Sequence, residues 1–171
     1  QDLGNLKRNV LQNKSVLLHG ATGSGKTSSV YALAKELDYE VLELNASDVR
    51  NKIGIDSIIG SAIRQRSLFS KGKIILLDDI DGLSGVKDRG GAVALAKLLD
   101  ESGYPIIMTA NDPYVDKLRG VRKKSILLEF VPLSRQVIFG YLKRILMEES
   151  VKFEDSDVLD VVDNCKGDLR V

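Results

Sequence analysis

Eight residues near the start of the chain, residues 20–27, constrain its fold more than any other segment. They read GATGSGKT and fit the pattern G-x-x-x-x-G-K-[ST], directly after an aliphatic run and at the start of a helical segment. Glycines in such a loop let successive backbone N–H groups turn towards phosphate oxygens without a Cβ clash. We expect Lys26 to supply a charge for the β- and γ-phosphates, and the Thr27 hydroxyl can ligate Mg²⁺. The predicted nucleotide-binding residues are Gly20, Ala21, Thr22, Gly23, Ser24, Gly25, Lys26, Thr27 and Ser28.

Five short aliphatic runs predict a sheet around this loop. Each has about the length of a buried strand, and most lack polar alternation, which favours a sheet covered on both faces. Segments with helical spacing separate the runs, among them an apolar stripe over residues 55–63. The alternation predicts a parallel α/β sheet with right-handed crossovers. The runs are residues 15–18, 41–44, 73–77, 106–110 and 126–130.

The pattern changes near Pro132, beyond which no strand-like run follows. Residues 134–149 read as a helix with Ser134 as its N-cap, and residues 155–165 read as a second helix. We therefore divide the chain into an α/β domain, residues 1–131, and a partial helical lid, residues 132–171. The abrupt end predicts that the sequence belongs to a longer protein.

Polar residues follow two of the predicted strands. Asp78 and Asp79 come after residues 73–77, and carboxylates at the carboxyl end of a parallel strand lie beside the ligand crevice. We expect Asp78 to hold Mg²⁺ through water and Asp79 to orient the attacking water. Asn111 follows the strand 106–110 and can bridge a γ-phosphate oxygen and that water. Asp81 has two interpretations, a helix N-cap or a supporting role in the site.

Composition excludes several classes of protein. The chain has 171 residues and a net charge of +1, so it is not a polycation, and any contact with nucleic acid must come from local patches. No apolar run approaches the roughly 20 residues of a membrane span. The polar residues 1–13 do not resemble a signal peptide, and the single Cys165 cannot form an internal disulfide. We expect an intracellular protein without a membrane anchor.

Several motifs together resemble a known family. The order of the phosphate loop, DDID (78–81), TAND (109–112) and GDLR (167–170) is similar to that of AAA+ ATPases. ELNASD (43–48) and DRGG (88–91) resemble the large subunits of replication factor C clamp loaders. The resemblance covers about residues 17–170. It implies a five-stranded parallel P-loop sheet flanked by helices, with the sensor strand between the two Walker strands, followed by the partial helical lid.

The resemblance also implies an activity and partners. Such a subunit binds and hydrolyses ATP with Mg²⁺, and works in a hetero-pentamer with the small clamp-loader subunits. The complex loads the sliding clamp, PCNA, onto primer–template DNA, which implies a DNA-associated location in either nucleus or cytoplasm. The implied catalytic residues are Lys26, Asp79, Asn111 and Arg170, the last as a second sensor on the lid.

Two departures from the family pattern affect the expected activity. Asp79 stands where the family usually has a glutamate, which predicts slow hydrolysis at this site. The arginine-finger motif of the small subunits is absent from residues 117–125, which favours a large subunit. The basic residues of that segment either face a neighbouring subunit or DNA, or form a solvated loop.

A second group of basic residues is a candidate DNA contact. The segment 57–77 contains no acidic residue, so its cations can follow a phosphate backbone, although an ordinary solvated face is the alternative. The candidate DNA contacts are Arg64, Arg66, Lys71 and, by resemblance, Arg89.

Two other functions stay open from the sequence. One is another AAA+ ATPase, either a helicase loader or a protein remodeller. The other is a P-loop kinase that phosphorylates a metabolite, which would need an acceptor pocket and an arginine-rich lid over the phosphates.

Overall fold

The computed structural model describes residues 3–45, 71–83, 91–165 and 167–168. The predicted helical stripe over residues 55–63 lies outside these residues. The helices are Leu3–Leu11 (α1), Lys26–Leu37 (α2), Gly91–Glu101 (α3), Arg119–Lys124 (α4), Arg135–Glu148 (α5) and Asp155–Cys165 (α6), with short 3-10 helices at Ile80–Leu83 and Asp116–Leu118. The strands are Val16–Gly20 (β1), Tyr39–Asn45 (β2), Gly72–Asp78 (β3), Ile106–Ala110 (β4) and Ile126–Phe130 (β5).

The five strands form one parallel sheet in the order β2-β3-β4-β1-β5. The predicted bounds of β4 and β5 match the structure. β2 and β3 extend by one or two residues beyond their aliphatic runs at each end, and β1 begins one residue later and ends two residues later than its run. Met108 in β4 faces both Leu17 in β1 and Leu77 in β3. The expected position of the sensor strand between the two Walker strands is therefore confirmed, and the carboxyl ends of these three strands meet at one edge.

Alternate side chains of the central strands enter two hydrophobic clusters. Leu17, Ile75 and Met108 pack on one face against α3, while Leu18, Ile74 and Ile107 pack on the other against α1 and α2. All six side chains are completely buried. Burial on both faces explains why these strands are aliphatic along their whole length rather than alternating with polar residues.

After β5 the chain forms two helices with a small hydrophobic core of their own. Ile138 of α5 packs with Val158 and Val162 of α6, apart from the two clusters on the sheet. The Ser134 hydroxyl accepts a hydrogen bond from the backbone N–H of Val137 at 3.4 Å, which is the N-cap predicted for α5. We call α5 and α6 the C-terminal helix pair.

Three other predictions concern single features of the surface and the core. The basic segment 117–124 is helical, so its interpretation as a loop is wrong. Leu118 and Val121 are buried and anchor its two short helices against the sheet. Cys165, which is predicted to form no internal disulfide, is buried in α6. In the part of the chain that the structure describes, no helix is both long and apolar enough to cross a membrane.

Gly20, at the end of β1, lies very close to the neighbouring strand β5. Its φ is +138°, and an added Cβ would lie 2.0 Å from the carbonyl oxygen of Phe130. Backbone atoms of paired strands cannot move apart by that distance without losing hydrogen bonds of the ladder. The first glycine of the phosphate loop is thus required by the sheet, independently of any ligand.

We expect Gly20→Ala to destabilise the fold by about 2–4 kcal/mol, because the methyl group adds both a clash and an unfavourable φ. Urea unfolding measures the change. Gly140→Ala is the matched control, since Gly140 lies within α5 with nothing within 4 Å of an added Cβ. Alanine there should stabilise by about 0.5–1 kcal/mol. Equal stability of Gly20→Ala and the wild type would contradict the close approach.

Candidate nucleotide-binding site

The phosphate loop connects β1 to α2 at the carboxyl edge of the sheet. A hydrogen bond within the loop stabilises its conformation: the hydroxyl of Ser24, a residue that is 1% exposed, donates to the carbonyl oxygen of Ala21 at 2.7 Å. Gly25, at the N-cap of α2, has a left-handed backbone. The helix therefore begins with N–H groups that no side-chain cap occupies, which suits the binding of an anion.

Lys26 is almost completely buried, with 8% of its surface exposed. Its Nζ donates to the carbonyl oxygens of Gly20 at 2.8 Å and Ala21 at 2.9 Å. It also donates to Oδ1 of Asn111 at 3.3 Å. The positive charge therefore lies between the loop and the end of β4, two features that the sequence predicts in one site.

The carboxylate of Asp78 joins three segments of the site. Its Oδ1 accepts a hydrogen bond from the Thr27 hydroxyl at 2.9 Å and another from the Thr109 hydroxyl at 2.6 Å. Thr27 begins α2, Asp78 ends β3 and Thr109 lies in β4. The two predicted metal ligands, Thr27 and Asp78, are therefore in direct contact.

Asp79 has a left-handed backbone, with φ of +53°. Its N–H donates to Oγ1 of Thr109 at 3.0 Å, and its carbonyl oxygen accepts from the N–H of Gly82 at 2.9 Å. Both peptide groups of this residue are thus fixed by neighbours. Its side chain lines the same cleft as Lys26 and Asp78.

Asp81 holds the backbone of Asn111. It lies inside the 3-10 helix Ile80–Leu83, so it is not the N-cap, and its Oδ2 accepts from the N–H of Asn111 at 2.9 Å. The second interpretation of Asp81, a supporting role in the site, agrees with this contact. His19, which precedes the loop, packs edge-on against Tyr114 with ring centroids 6.3 Å apart.

These side chains surround a cleft of about 550 Å³. This volume lies in the range of ordinary ligand pockets. Tyr141 and Ile145 of α5 close one side of it, so the C-terminal helix pair contributes apolar surface. The other lining residues are Thr22, Gly23, Gly25, Lys26, Thr27, Ser28, Asp78, Asp79, Thr109 and Asn111.

The donor set fits Mg²⁺ bound together with a nucleotide. Thr27 and Asp78 offer one hydroxyl and one carboxylate at the cleft, and Mg²⁺ usually takes one or two carboxylates plus phosphate oxygens and waters. Within the described ranges, no cluster of three or more acidic, histidine or cysteine side chains could hold a metal ion by itself. A cation here would depend on the phosphates for the rest of its ligands.

The end of the chain also reaches the phosphate loop. A Cβ added at Gly23, whose φ is +67°, would lie 1.8 Å from Oδ1 of Asp168. The carboxylate of Asp168 therefore lies directly against the loop. Arg170, two residues later and predicted as a sensor, lies outside the described residues.

The structure brings only part of the predicted residues together. Arg64, Arg66 and Arg89 lie outside the residues that the structure describes. Lys71 precedes β3, at the opposite edge of the sheet from the cleft, and forms an exposed ion pair with Asp38 at 3.7 Å. It is therefore separate from the nucleotide site.

Sequence reasoning missed Thr109, Asp168 and Tyr141. A signal existed for Thr109, because it is the one polar residue in the strand IIMTA and is 1% exposed. No local pattern predicts the contacts of these two residues: Tyr141 lines the cleft from α5, and Asp168 contacts Gly23 from the segment after α6.

Close to the site, an acidic neighbour changes the ionisation of one tyrosine. The hydroxyl of Tyr31 on α2 donates to Oε2 of Glu43 on β2. This hydrogen bond, with burial and the negative charges of Glu43 and Asp78, raises the pKa of Tyr31 from 10.0 to about 12. Ionisation would place a second negative charge beside the Glu43 carboxylate.

Comparison with known proteins identifies the class of protein to which this chain belongs. A family model described as "ATPase family associated with various cellular activities (AAA)" matches residues 16–122. Because the match spans more than half of the chain, the chain belongs to the AAA family of ATPases. The matched segment includes every strand of the sheet except β5. It also includes all the residues that contact Lys26 and Asp78 as described above.

The curated relatives narrow the similarity further. The chain is 50% identical over 159 residues to the replication factor C large subunit of Nanoarchaeum equitans, covering 93% of this chain and 37% of the relative. It is 44% identical over 157 residues to the protein of the same name from Staphylothermus marinus, again covering 37% of that relative. The chain thus spans little more than a third of the length of these relatives.

A solved structure is similar in fold. The crystal structure of a DNA replication initiation factor superimposes with a TM-score of 0.66 over 95% of this chain and 55% of that chain, at 19% identity. At this identity the likeness concerns the fold alone.

The Tyr31–Glu43 contact predicts a late step in the alkaline titration of the five tyrosines. The phenol is protonated in folded and unfolded chains below pH 10.0, and the unfolded chain ionises first above it. Its contribution to stability is therefore present below pH 10.0 and is lost between there and about pH 12. Tyr31→Phe should remove the latest step in phenolate absorbance. Glu43→Gln should move that step to lower pH, and an unchanged late step in both variants would contradict the assignment.

Proposed function

We propose that this chain is the ATP-binding and hydrolysing core of a DNA clamp-loader large subunit, which helps load the sliding clamp onto primer–template DNA. The observation that carries the proposal is the cleft in which buried Lys26 and the Thr27–Asp78 pair meet at the carboxyl edge of the sheet. The similarity to replication factor C large subunits over 93% of the chain supports the assignment of this cleft to clamp loading.

In the proposed mechanism the loop N–H groups and Lys26 bind the phosphates. The ammonium exchanges carbonyl partners at Gly20 and Ala21 for charged phosphate oxygens, which are stronger acceptors. Thr27, and Asp78 through water, would hold Mg²⁺, which would supply positive charge to the phosphates when bound. Asp79 accepts a proton from or orients the attacking water, and Asn111 donates to the γ-phosphate.

The helical segment that follows the sheet is proposed as a lid. The division into residues 1–131 and 132–171 is supported by the separate core of α5 and α6. Tyr141 and Ile145 reach the cleft from this side, and Arg170 is proposed as the sensor of the γ-phosphate. The proposed partners are the small clamp-loader subunits, PCNA and primer–template DNA, the last through Arg64, Arg66, Lys71 and Arg89.

Lys26→Ala in the full-length subunit should weaken binding of a fluorescent ATP analogue by at least about 100-fold, because a buried triphosphate loses its direct charge partner. Lys35→Ala is the matched control, since Lys35 is an exposed lysine on the same helix.

In the reassembled pentamer, DNA and clamp should together stimulate the turnover of ATP to ADP and phosphate. Transfer of phosphate to a metabolite would favour a kinase. Stimulation by a protein substrate or a helicase, without the clamp, would favour another AAA+ ATPase.

The site should hydrolyse ATP slowly, because the Asp79 carboxylate is shorter by one methylene, roughly 1.5 Å, than the family's glutamate. A misplacement of about 1 Å can cost on the order of 100-fold in rate. Asp79→Glu, with the small-subunit sites disabled, should therefore raise turnover and leave nucleotide affinity within a few-fold. The left-handed φ of residue 79 suits aspartate better than glutamate, so unfolding is measured in parallel. Equal or lower turnover in a stable variant would contradict the slow-site proposal.

A further inference from the structure

Thr109 is a buried polar residue in a strand that is otherwise aliphatic. It is 1% exposed, and β4 around it consists of isoleucine, methionine and alanine. A buried threonine hydroxyl can donate its hydrogen bond to a backbone carbonyl close to it in sequence, so it does not need a partner on another strand. Here it makes two bonds to the residues at the end of the adjacent strand β3.

The direction of these bonds follows from the chemistry of a hydroxyl. Thr109 has one proton, which it donates to Oδ1 of Asp78 at 2.6 Å. One of its lone pairs accepts the N–H of Asp79 at 3.0 Å. A single oxygen atom thus contacts the carboxylate proposed for the metal and the backbone of the residue proposed for the water.

The two bonds restrict the carboxylate of Asp78 and the backbone of Asp79. Oδ1 of Asp78 receives donors from two sides, Thr27 on α2 and Thr109 on β4, so its rotation about χ2 is restricted. The N–H of Asp79 is held by Thr109, its φ is +53°, and its side chain lines the cleft. Removal of the hydroxyl would remove one hydrogen bond from each of the two residues.

We propose that Thr109 is a positioning residue for the ATPase site, which holds Asp78 towards Mg²⁺ and Asp79 towards the attacking water. The inference rests on the proposed function of the cleft. Residues that orient a metal ligand through hydrogen bonds commonly change metal affinity or activity by about 10–100-fold when they are replaced. If Thr109 served only to pair buried polar groups in the core, its replacement would lower stability and leave the Mg²⁺ dependence of nucleotide binding unchanged.

The test compares Thr109→Val, which has nearly the same shape without the hydroxyl, with Thr109→Ser, which retains it. In the full-length protein, the affinity for a fluorescent ATP analogue is measured with Mg²⁺ and with a chelator. The ratio of the two affinities should fall about 10-fold in Thr109→Val and stay within about 2-fold in Thr109→Ser. Ser125→Ala is the control for loss of a hydroxyl outside the site, where it donates to the carbonyl oxygen of Val121.

The possible results separate the two proposals. If the wild type binds nucleotide with Mg²⁺ and a folded Thr109→Val variant has an unchanged ratio, the positioning role is overturned. A wild type without Mg²⁺-dependent binding would overturn the proposed function and the inference with it. If the valine variant does not fold, Thr109→Ala takes its place and must show the same loss with rescue by serine; a preserved ratio would again overturn the role.

Discussion

A buried ammonium group determines the shape of this site. Lys26 is 8% exposed, and the removal of its charge from water has to be offset by acceptors that the fold supplies. The carbonyl oxygens of Gly20 and Ala21 curve around it, and Asn111 approaches from the end of β4. The loop is therefore wound around the lysine and tied to the sheet before any phosphate is present. A phosphate would replace neutral oxygens with charged ones, which are stronger acceptors for the ammonium group.

Much of this architecture follows from local sequence, because the signals are strong and short. Aliphatic runs predicted all five strands, and the motif at residues 20–27 predicted a turn between β1 and α2. Asp78 and Asn111 were predicted at strand ends, where parallel topology brings them together. Thr109, Asp81 and Asp168 were not predicted in their observed contacts, since each depends on which neighbour a side chain meets across the sheet or across the C-terminal helix pair. Local spacing predicts which residues share an edge, but it does not predict the pairings between them.

The contact of Asp168 with Gly23 links the segment after α6 to the phosphate loop. Tyr141 and Ile145 line the same cleft from α5. A ligand that occupies the loop therefore meets groups that belong to the C-terminal helix pair, and its binding free energy depends on where that pair lies. By thermodynamic linkage, a partner that moves the helix pair and changes the affinity of the loop for its ligand has its own affinity changed by that ligand by the same factor. This coupling needs no intermediate helix or loop, because the segment after α6 and the phosphate loop are in direct contact.

The strand order has a consequence for how the protein is made. β1, which carries the phosphate loop, pairs with β4 and β5, and Val16 faces Ile107 and Ile126. At a synthesis rate of about 5–20 residues per second, β1 waits roughly 5–20 seconds before its first neighbour leaves the ribosome. During that interval a strand of leucine and valine lacks hydrogen-bond partners on both edges, a state that chaperones recognise and that promotes aggregation. The loop at the centre of the site is thus translated before either of the strands that pair with β1.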